Sequence, residues 1–331
     1  MSSGPGAGAE DLQVVAPFWL DRPDEEVIDI AVQASRCGFD TMWIGEMASF
    51  DAFALATAVG LQAPGLRLKI GPLAIGVRSP VALALGLSSV TTLTGAHADL
   101  ALGASSPAIV SGWHDRPWTG AASRMRETVQ ALRPILAGER ADFDGEHVHV
   151  HGFRLRRAQE HARIAVAAYG PQMTRVAATV ADEVVLNLVT PEHVARTRIA
   201  VQEQARAQER VPPAIAVWVS VALEPGEATL RQLAAQIAAY LAPPGYGESF
   251  IALGFEELVL SARAGTRRAE LAAAIPVELL RALCAIGSLK EIAARLSEYR
   301  AAGASHVGVV PATAEDPAGA RVLEALGGRP A

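Results

Sequence analysis

The segment Ile164–Leu188 constrains the fold more than any other part of this sequence, because it contains a complete strand–helix–strand unit. Its first part, Ile164–Tyr169, is apolar without polar alternation, which is typical of a parallel strand buried on both faces. Gly170 and Pro171 then start a helix, since glycine lets the backbone approach a ligand and proline at the first helical position loses no needed hydrogen bond. The N–H groups of such a helix start are able to face an anion. The segment therefore predicts a βαβ unit with a candidate phosphate site, and the alternative is an ordinary turn into a surface helix.

Strands and helices alternate along most of the chain. Strict alternation indicates a parallel sheet, which closes into a (β/α)8 barrel with eight units and stays an open doubly wound sheet with five or six. The count reaches eight, so we expect an α/β protein of the TIM-barrel type. The predicted strands are Leu12–Pro17, Thr41–Ile44, Leu66–Ile75, Ala98–Leu102, Ile164–Tyr169, the second strand of the βαβ unit, Ala214–Leu223 and Ser305–Val310.

Three segments depart from this alternation. Residues 1–10, MSSGPGAGAE, predict a flexible tail, which leaves 11–331 as a single domain. The polar stretch Asp142–His151 predicts a small hairpin excursion before strand five. Residues Leu230–Ile286 separate strand seven from the last helix and strand, and they predict a helical insertion.

The composition excludes several classes of protein. The 331 residues are 50% hydrophobic with a formal net charge of −6, and no block of Lys and Arg is long enough to bind nucleic acid. The apolar run Leu73–Leu93 is interrupted by Arg78 and Pro80, and the N-terminus lacks the pattern of a signal peptide. We therefore expect a cytoplasmic enzyme that acts on a small-molecule substrate, with no nucleic-acid or membrane partner.

The spacing of cysteine and histidine gives no metal site. Neither Cys37 nor Cys284 lies in a ligand motif, and Cys37 on an apolar helix face is predicted to be an inert buried thiol. His147, His149 and His151 share one face of a strand by their spacing, which is one route to a metal site. No cysteine or carboxylate completes that set, so we expect an exposed hairpin without metal.

Four fragments of the chain, taken in order, resemble the luciferase-like monooxygenase superfamily and within it the branch that depends on coenzyme F420. They are GFDTMWIGE at Gly38–Glu46, LGASSP at Leu102–Pro107 with GWHDRPW at Gly112–Trp118, RMRE and LRPILAGE at 124–139, and AAYGPQM with ADEVVLN at 167–187. The resemblance implies a (β/α)8 barrel with an insertion after strand seven, a homodimer, and hydride transfer between the deazaflavin of F420 and a small organic substrate. Two alternatives stay open: an FMN-dependent monooxygenase of the same fold that uses a separate flavin reductase, and a non-catalytic flavin-binding protein.

Candidate cofactor residues lie where predicted strands end, because a (β/α)8 barrel carries its active site at the C-terminal ends of its strands. The resemblance implies a non-prolyl cis peptide between Gly76 and Val77 that supports the ring, with an ordinary bulge at Gly76 as the alternative. It also implies that Gly170, Pro171 and Gln172 hold the phosphate of the cofactor side chain. The full set of cofactor candidates is Gly76, Val77, Ser105, Ser106, Tyr169, Gly170, Pro171, Gln172 and Asn187.

Two residues are candidates for catalysis. Glu46 stands where relatives carry an acidic residue beside the ring, and it is suited to accept a hydrogen bond or transfer a proton; the alternative is a surface carboxylate. His114, between two tryptophans, is the candidate proton donor, with helix packing as its alternative. Met47 and Ser106 replace the histidine and the acid of the sugar-phosphate dehydrogenases in this family, which argues against glucose-6-phosphate as substrate.

Overall fold

The computed structural model describes residues 12–46 and 48–327, so the predicted tail at 1–10 and Met47 lie outside the described residues. The strands are β1 Leu12–Val15, β2 Thr41–Ile44, β3 Arg67–Ala74, β4 Ala98–Gly103, β5 Ala141–Asp144, β6 His149–Phe153, β7 Ile164–Ala167, β8 Glu183–Asn187, β9 Ala214–Leu223, β10 Ala285–Gly287 and β11 His306–Pro311.

Helices separate the parallel strands, as the alternation predicts. They are α1 Glu26–Arg36, α2 Ala52–Gln62, α3 Pro80–Thr94, α4 Ala121–Leu136, α5 Pro171–Val180, α6 Pro191–Arg206, α7 Glu227–Ala238, α8 Tyr246–Ala252, α9 Glu256–Arg263, α10 Arg268–Ala274, α11 Val277–Leu283, α12 Leu289–Ala301 and α13 Ala320–Leu326, with a π-helix at Ala108–Trp113 and a 3-10 turn at Pro317–Gly319. None of the helices in the described part of the chain combines the length and apolar character needed to cross a membrane.

Side-chain caps explain where several helices begin. Asp51 accepts hydrogen bonds from the N–H groups of Phe53 and Ala54 at the start of α2. Ser79 caps α3, in which Pro80 occupies the first position. At the start of α12, Ser288 and Glu291 form a capping box. Each of these starts depends on residues within three positions of one another.

The chain divides into two compact units. One, called the central unit, comprises residues 43–186 and 195–216, Met47 apart, and its parallel strands have the order β2-β3-β4-β7-β8. Its core strands are buried along their length, as β4 and β8 illustrate. The other, called the terminal unit, comprises residues 12–42, 187–194 and 217–327, with the parallel order β10-β9-β11-β1. Strands β2, β8 and β9 contribute residues to both units.

The hairpin excursion is confirmed, and two other segments differ from expectation. Strands β5 and β6 pair antiparallel, with Phe143 opposite Val150. The alternation predicts one long helical region from Pro107 to near Gly138. The structure has instead a π-helix and α4, because the intervening residues include Asp115 and Gly120, both at positive φ. The three-residue strand β10 was not predicted, since so short a run carries no periodicity.

Candidate functional site

The segments that follow four neighbouring parallel strands gather at one edge of the central unit. The strand order is β2-β3-β4-β7, with Ala74 opposite Gly103 and Leu102 opposite Val166. Because parallel strands point the same way, the segments after them lie at the same edge, where sheets of this kind bind ligands. The predicted residues carried by these segments are Glu46, Gly76, Val77, Ser105, Ser106, Tyr169, Gly170, Pro171 and Gln172.

Glu46, which follows β2, is engaged through both of its oxygens. The guanidinium of Arg78, in the segment after β3, donates to both carboxylate oxygens, and the N–H of Ala52 donates to Oε1 at 3.2 Å. Arg78 also donates to Asp51 Oδ2 at 2.7 Å. We call Glu46, Arg78 and Asp51 the carboxylate clamp. The clamp joins the segments after β2 and β3, so proton transfer by Glu46 has to compete with a charged partner.

The electrostatics of the clamp favour its charged form. Burial opposes ionisation of Asp51, but hydrogen bonds from the Ala54 N–H and from Arg78 outweigh it and hold the pKa of Asp51 below its ordinary value. Burial likewise opposes the charge on Arg78, and hydrogen bonds to the two carboxylates outweigh it and raise the pKa of Arg78. Asp51 and Arg78 are therefore both charged at neutral pH.

Sequence reasoning missed Arg78 and Asp51 as site residues. A signal for Arg78 was present, because it is the only Asp, Glu, Lys or Arg between Lys69 and Asp99. A lone charge in such an apolar stretch indicates a partner of opposite sign. The identity of that partner was not visible, since Glu46 lies on a different strand segment.

The segment after β3 places Gly76 against the π-helix. A Cβ added at Gly76 would lie 2.8 Å from a methyl carbon of Val110, so the close approach requires glycine. The N–H of Val77 donates to the carbonyl oxygen of Ala74 at 3.2 Å, which makes this a tight turn. Gly76 and Val77 therefore lie in a turn that follows β3 rather than within the strand.

The expected cis peptide bond between Gly76 and Val77 is wrong. Among the described residues the cis bond is Gly71–Pro72, inside β3. The prediction placed the bond by its spacing from Pro80 and assumed that strand three runs to Ile75, whereas β3 ends at Ala74. The strand also shifts its register against β4 between Ile70 and Leu73, so the irregularity in β3 precedes the expected position.

The two predicted serines begin the segment after β4. Ser105 is exposed and has a positive φ of 64°. The carbonyl oxygen of Ser106, which is half-buried, accepts hydrogen bonds from the N–H groups of Ile109 at 3.1 Å and Val110 at 2.9 Å. Ser106 thus starts the π-helix, while the Ser105 side chain is accessible at the C-terminal edge.

His114 ends the π-helix and is exposed to solvent. Its N–H donates to the carbonyl oxygen of Ile109 at 3.3 Å. Trp113 is 59% exposed and Trp118 is 37% exposed. The indole N–H of Trp118 donates to the carbonyl oxygen of Ala104 at 3.3 Å, which ties the end of this segment to its start. The imidazole is therefore accessible, and the helix-packing alternative finds no support in its burial.

The start of α5 is open to a ligand. Gly170 is its N-cap, and a Cβ added there would meet no heavy atom within 4 Å. The carbonyl oxygen of Gly170 accepts from Thr174, whereas Pro171 has no N–H and the first-turn N–H of Gln172 has no acceptor within the helix. Donors that face open space at a helix start fit a phosphate group. Tyr169, just before the turn, is half-buried.

Asn187 belongs to the other unit. It is the last residue of β8 and is half-buried. The terminal unit begins at this residue, whereas the other predicted cofactor residues are all in the central unit.

The hairpin histidines have carboxylate partners, contrary to expectation. His149 Nδ1 lies 2.5 Å from Asp144 Oδ1, and His151 Nδ1 lies 2.9 Å from Asp142 Oδ1. The hydrogen bond to Asp142 raises the pKa of His151. Each imidazole has its own carboxylate, and within the described residues no three His, Cys, Asp or Glu side chains form a group that fits a metal ion.

The prediction that Cys37 is a buried thiol is confirmed. Cys37 is buried at the end of α1, and burial raises its pKa. Cys284 is also buried, and its pKa is raised to about 12 by loss of solvation. Both side chains are therefore protonated thiols at neutral pH, the form that is a poor nucleophile.

The chain is similar to known proteins along most of its length. The family model described as luciferase-like monooxygenase matches residues 10–306. The 5,10-methylenetetrahydromethanopterin reductase of Methanolobus tindarius is 24% identical over 225 residues, which are 66% of this chain and 69% of that protein. Other curated relatives are matched over about half of their length.

Two solved structures share the fold. The coenzyme F420-dependent tetrahydromethanopterin reductase of Methanopyrus kandleri aligns with a TM-score of 0.81 at 16% identity, covering 96% of this chain and 98% of that one. An F420-dependent secondary alcohol dehydrogenase in complex with an F420–acetone adduct aligns with a TM-score of 0.78 at 15% identity, with the same coverage. The (β/α)8 barrel prediction is confirmed by these alignments together with the alternation of strands and helices. The chain belongs to the luciferase-like monooxygenase family and is an oxidoreductase of that fold.

Proposed function

We propose that this protein is an F420-dependent oxidoreductase that moves a hydride between the deazaflavin and a small organic substrate. The observation that carries the proposal is the start of α5, where a Cβ at Gly170 would meet no heavy atom within 4 Å and the first-turn N–H groups have no acceptor within the helix. The names of the relatives support it, because a reductase and a dehydrogenase with this fold are both described as F420-dependent.

The chain's own residues bind and orient the cofactor. We assign the phosphate of the F420 side chain to Gly170, Pro171 and Gln172, where helix-start N–H groups favour an anion. The turn with Gly76 and Val77 and the serines at 105 and 106 follow adjacent strands, and we assign them to the ring. Tyr169 completes the proposed set in the central unit, and Asn187 stays a prediction of the resemblance. Bound F420 supplies the hydride itself, so the protein needs no nucleophile.

We assign the role of proton donor to His114. Its imidazole is exposed at the C-terminal edge of the central unit, and histidine exchanges protons near neutral pH. Glu46 is the second proposed catalytic residue, in the role of hydrogen-bond acceptor, because its two carboxylate oxygens already accept from Arg78 and are oriented by it. Met47 and Ser106 lack the groups that sugar-phosphate dehydrogenases use, so we do not expect glucose 6-phosphate as substrate.

Two other functions compete with this proposal. The first is an FMN-dependent monooxygenase fed by a separate reductase, and the family description names a monooxygenase. The second alternative is a non-catalytic flavin-binding protein. Reaction with oxygen distinguishes the F420-dependent oxidoreductase from the FMN-dependent monooxygenase, since reduced FMN reacts with O2 and reduced deazaflavin does so poorly. A non-catalytic protein would bind its cofactor and leave it unreduced with every donor tried.

Replacing Gly170 by aspartate is expected to raise the Kd for F420 about 100-fold. A carboxylate at a distance of about 5 Å from a phosphate repels it by roughly 3 kcal/mol at an effective dielectric constant of ~20. The added Cβ causes no steric clash, because it meets no heavy atom within 4 Å at this position. Isothermal titration of the purified protein with F420 and with FMN, at low salt, measures the effect.

The matched control is Gly170→Ala, which adds the Cβ without charge and is expected to bind F420 within about threefold of the wild type. Equal loss in both variants would contradict the phosphate assignment. Tighter binding of FMN than of F420 by the wild type would replace the proposal by the monooxygenase, and binding of neither would refute the cofactor assignment.

We further propose a homodimer formed through α2 and α3. Neither helix contains a charged residue, although 19% of the chain is charged. The helices pack closely, since a Cβ at Gly86 would lie 2.4 Å from the Phe53 ring. Their outer side still exposes Leu61, Leu85 and Leu93, at 60%, 48% and 65%. A charge-free helical surface with several exposed leucines suits a second copy of the same surface in a two-fold interface.

Replacing Leu85 by glutamate is expected to convert the dimer to a monomer at micromolar concentration. A two-fold axis would place two carboxylates in the apolar interface, and each ion buried there costs several kcal/mol. Sedimentation velocity measures the mass. Leu260→Glu is the control, because Leu260 is 54% exposed on α9, which carries charged residues. A monomeric wild type, or a dimer that survives Leu85→Glu, would contradict this interface.

A further inference from the structure

The side chain of Gln232 connects three separate segments of the terminal unit. Gln232 lies on α7, the helix that follows β9, and is only 3% exposed. Its carbonyl oxygen accepts hydrogen bonds from the N–H groups of Thr313 at 2.8 Å and Ala314 at 3.2 Å. Its amide nitrogen donates to both oxygens of Asp21, at 3.0 and 3.2 Å. All the usual hydrogen-bonding capacity of a glutamine amide is engaged.

The partners of Gln232 fix which way its amide points. The backbone N–H groups of Thr313 and Ala314 require an acceptor, and the carboxylate of Asp21 requires a donor. Only a side chain with one acceptor and one donor end satisfies both. We call Asp21, Gln232, Thr313 and Ala314 the amide latch.

Two further contacts hold the same segments together. The indole N–H of Trp19, before Asp21, donates to the carbonyl oxygen of Pro311 at 2.9 Å, and this bond is buried. Glu315 accepts from the N–H of Thr229 on α7 at 3.1 Å. The segments after β1 and β11 and the start of α7 thus contact one another at several points, and Gln232 is the side chain common to all three.

The latch lies at a functional edge of its unit. Each of the three segments follows the C-terminal end of a parallel strand, and these strands are neighbours in the order β9-β11-β1. Barrel enzymes bind substrates with segments at this edge. The helix α7 is also the first of the five helices between β9 and β10, a stretch that includes most of the expected insertion.

We propose that Gln232 is a positioning residue that fixes α7 against the segments after β1 and β11 and thereby sets the shape of the C-terminal edge of the terminal unit, to which we assign the substrate. This inference rests on the proposed function, because it assumes that the C-terminal edge binds the substrate. Gln232 itself acts through α7 and makes no contact with the reacting atoms.

Three variants test the acceptor end and the donor end of the Gln232 amide separately. Gln232→Leu removes both the acceptor and the donor. Gln232→Glu keeps an acceptor for Thr313 and Ala314 but places a second carboxylate against Asp21. The double variant Asp21→Asn with Gln232→Glu exchanges the amide and the carboxylate, so that the asparagine nitrogen donates to the glutamate and Thr313 and Ala314 keep their acceptor.

Hydrogen exchange of the full-length wild type and variants, at one pH and temperature, tests the proposal. We expect Gln232→Leu to speed exchange at least about tenfold at the amides of Thr313 and Ala314 and in α7. Gln232→Glu is expected to leave those two amides protected and to speed exchange in residues 18–22, while the double variant returns both segments to within about threefold of the wild type. Gln236→Leu is the control, since Gln236 lies on the same helix and accepts from Ser220 at 2.9 Å.

The outcomes are distinguishable from failure of the proposed function. Unchanged exchange at Thr313 and Ala314 in Gln232→Leu, no rescue by the double variant, or an equal response to Gln236→Leu would overturn the latch. F420 titration of the same variants is expected to give the wild-type Kd within about twofold, and a larger change would place Gln232 on the cofactor side. A wild type that binds no F420 would refute the proposed function. The hydrogen-exchange result would then still test the amide latch independently of that function.

Discussion

Replacing Lys69 by alanine is expected to lower the free energy of unfolding by about 3–5 kcal/mol, the usual cost of removing one partner from a buried ion pair. Lys69 Nζ lies 2.6 Å from Glu183 Oε2, and the two residues are 8% and 5% exposed. The ammonium also lies 4.5 Å from the centre of a ring of Trp43. Without Lys69, the Glu183 carboxylate loses the charge that neutralises it inside the central unit. Urea denaturation followed by circular dichroism measures the change.

The double variant Lys69→Met with Glu183→Leu is the matched control. Apolar side chains of similar size avoid the cost of burying charge, so we expect the double variant to recover most of the stability lost by the single one. A single variant that loses less than about 1 kcal/mol would show that water or other groups compensate the charge. A double variant less stable than the single one would show that the pair contributes more than neutralisation.

Replacing Gly71 by alanine is expected to cost about 4 kcal/mol or more, which is at the upper end of single substitutions. Gly71 has a φ of +129°, a conformation that side chains rarely adopt. A Cβ there would lie 2.1 Å from the carbonyl oxygen of Ala101 and 2.7 Å from the nitrogen of Leu73. Both are backbone atoms of paired strands, so no side-chain rotation relieves the overlap. We expect the variant to accumulate as insoluble protein, or to unfold at far lower urea concentration than the wild type.

Gly170→Ala is again the appropriate comparison, because its added Cβ meets no heavy atom within 4 Å. We expect that variant to change the free energy of unfolding by less than about 1 kcal/mol. A Gly71→Ala protein as stable as Gly170→Ala would mean that β3 and β4 can separate at this point without cost.

Local signals explain most of what the sequence predicted. The bounds of β2, β9 and the start of α5 were predicted to the residue, because apolar runs, glycine and proline at turns, and caps such as Ser288 with Glu291 act over a few positions. The eight predicted parallel strands follow from the alternation of strands and helices, and the hairpin follows from the polar stretch that interrupts it. The family fragments then predicted which strand ends carry the candidate site, and the structure brings the segments after β2, β3, β4 and β7 to one edge.

Long-range pairing explains what the sequence did not predict. The cis bond lies at Gly71–Pro72 rather than at Gly76–Val77, because the register of β3 against β4 is a property of the sheet. Glu46 looked like a free acid, and only the fold shows that Arg78 engages both of its oxygens.

By itself the sequence determined the order and type of most elements, the family and the residues that follow the predicted strands. Only the tertiary structure decided which charges and amides meet: Lys69 with Glu183, Glu46 with Arg78, and Gln232 with the segments after β1 and β11. The reason is that secondary structure is encoded by neighbours along the chain, whereas each of these pairs joins residues on different strand segments. Their energy depends on a distance of about 3 Å that only the packed strands and helices establish.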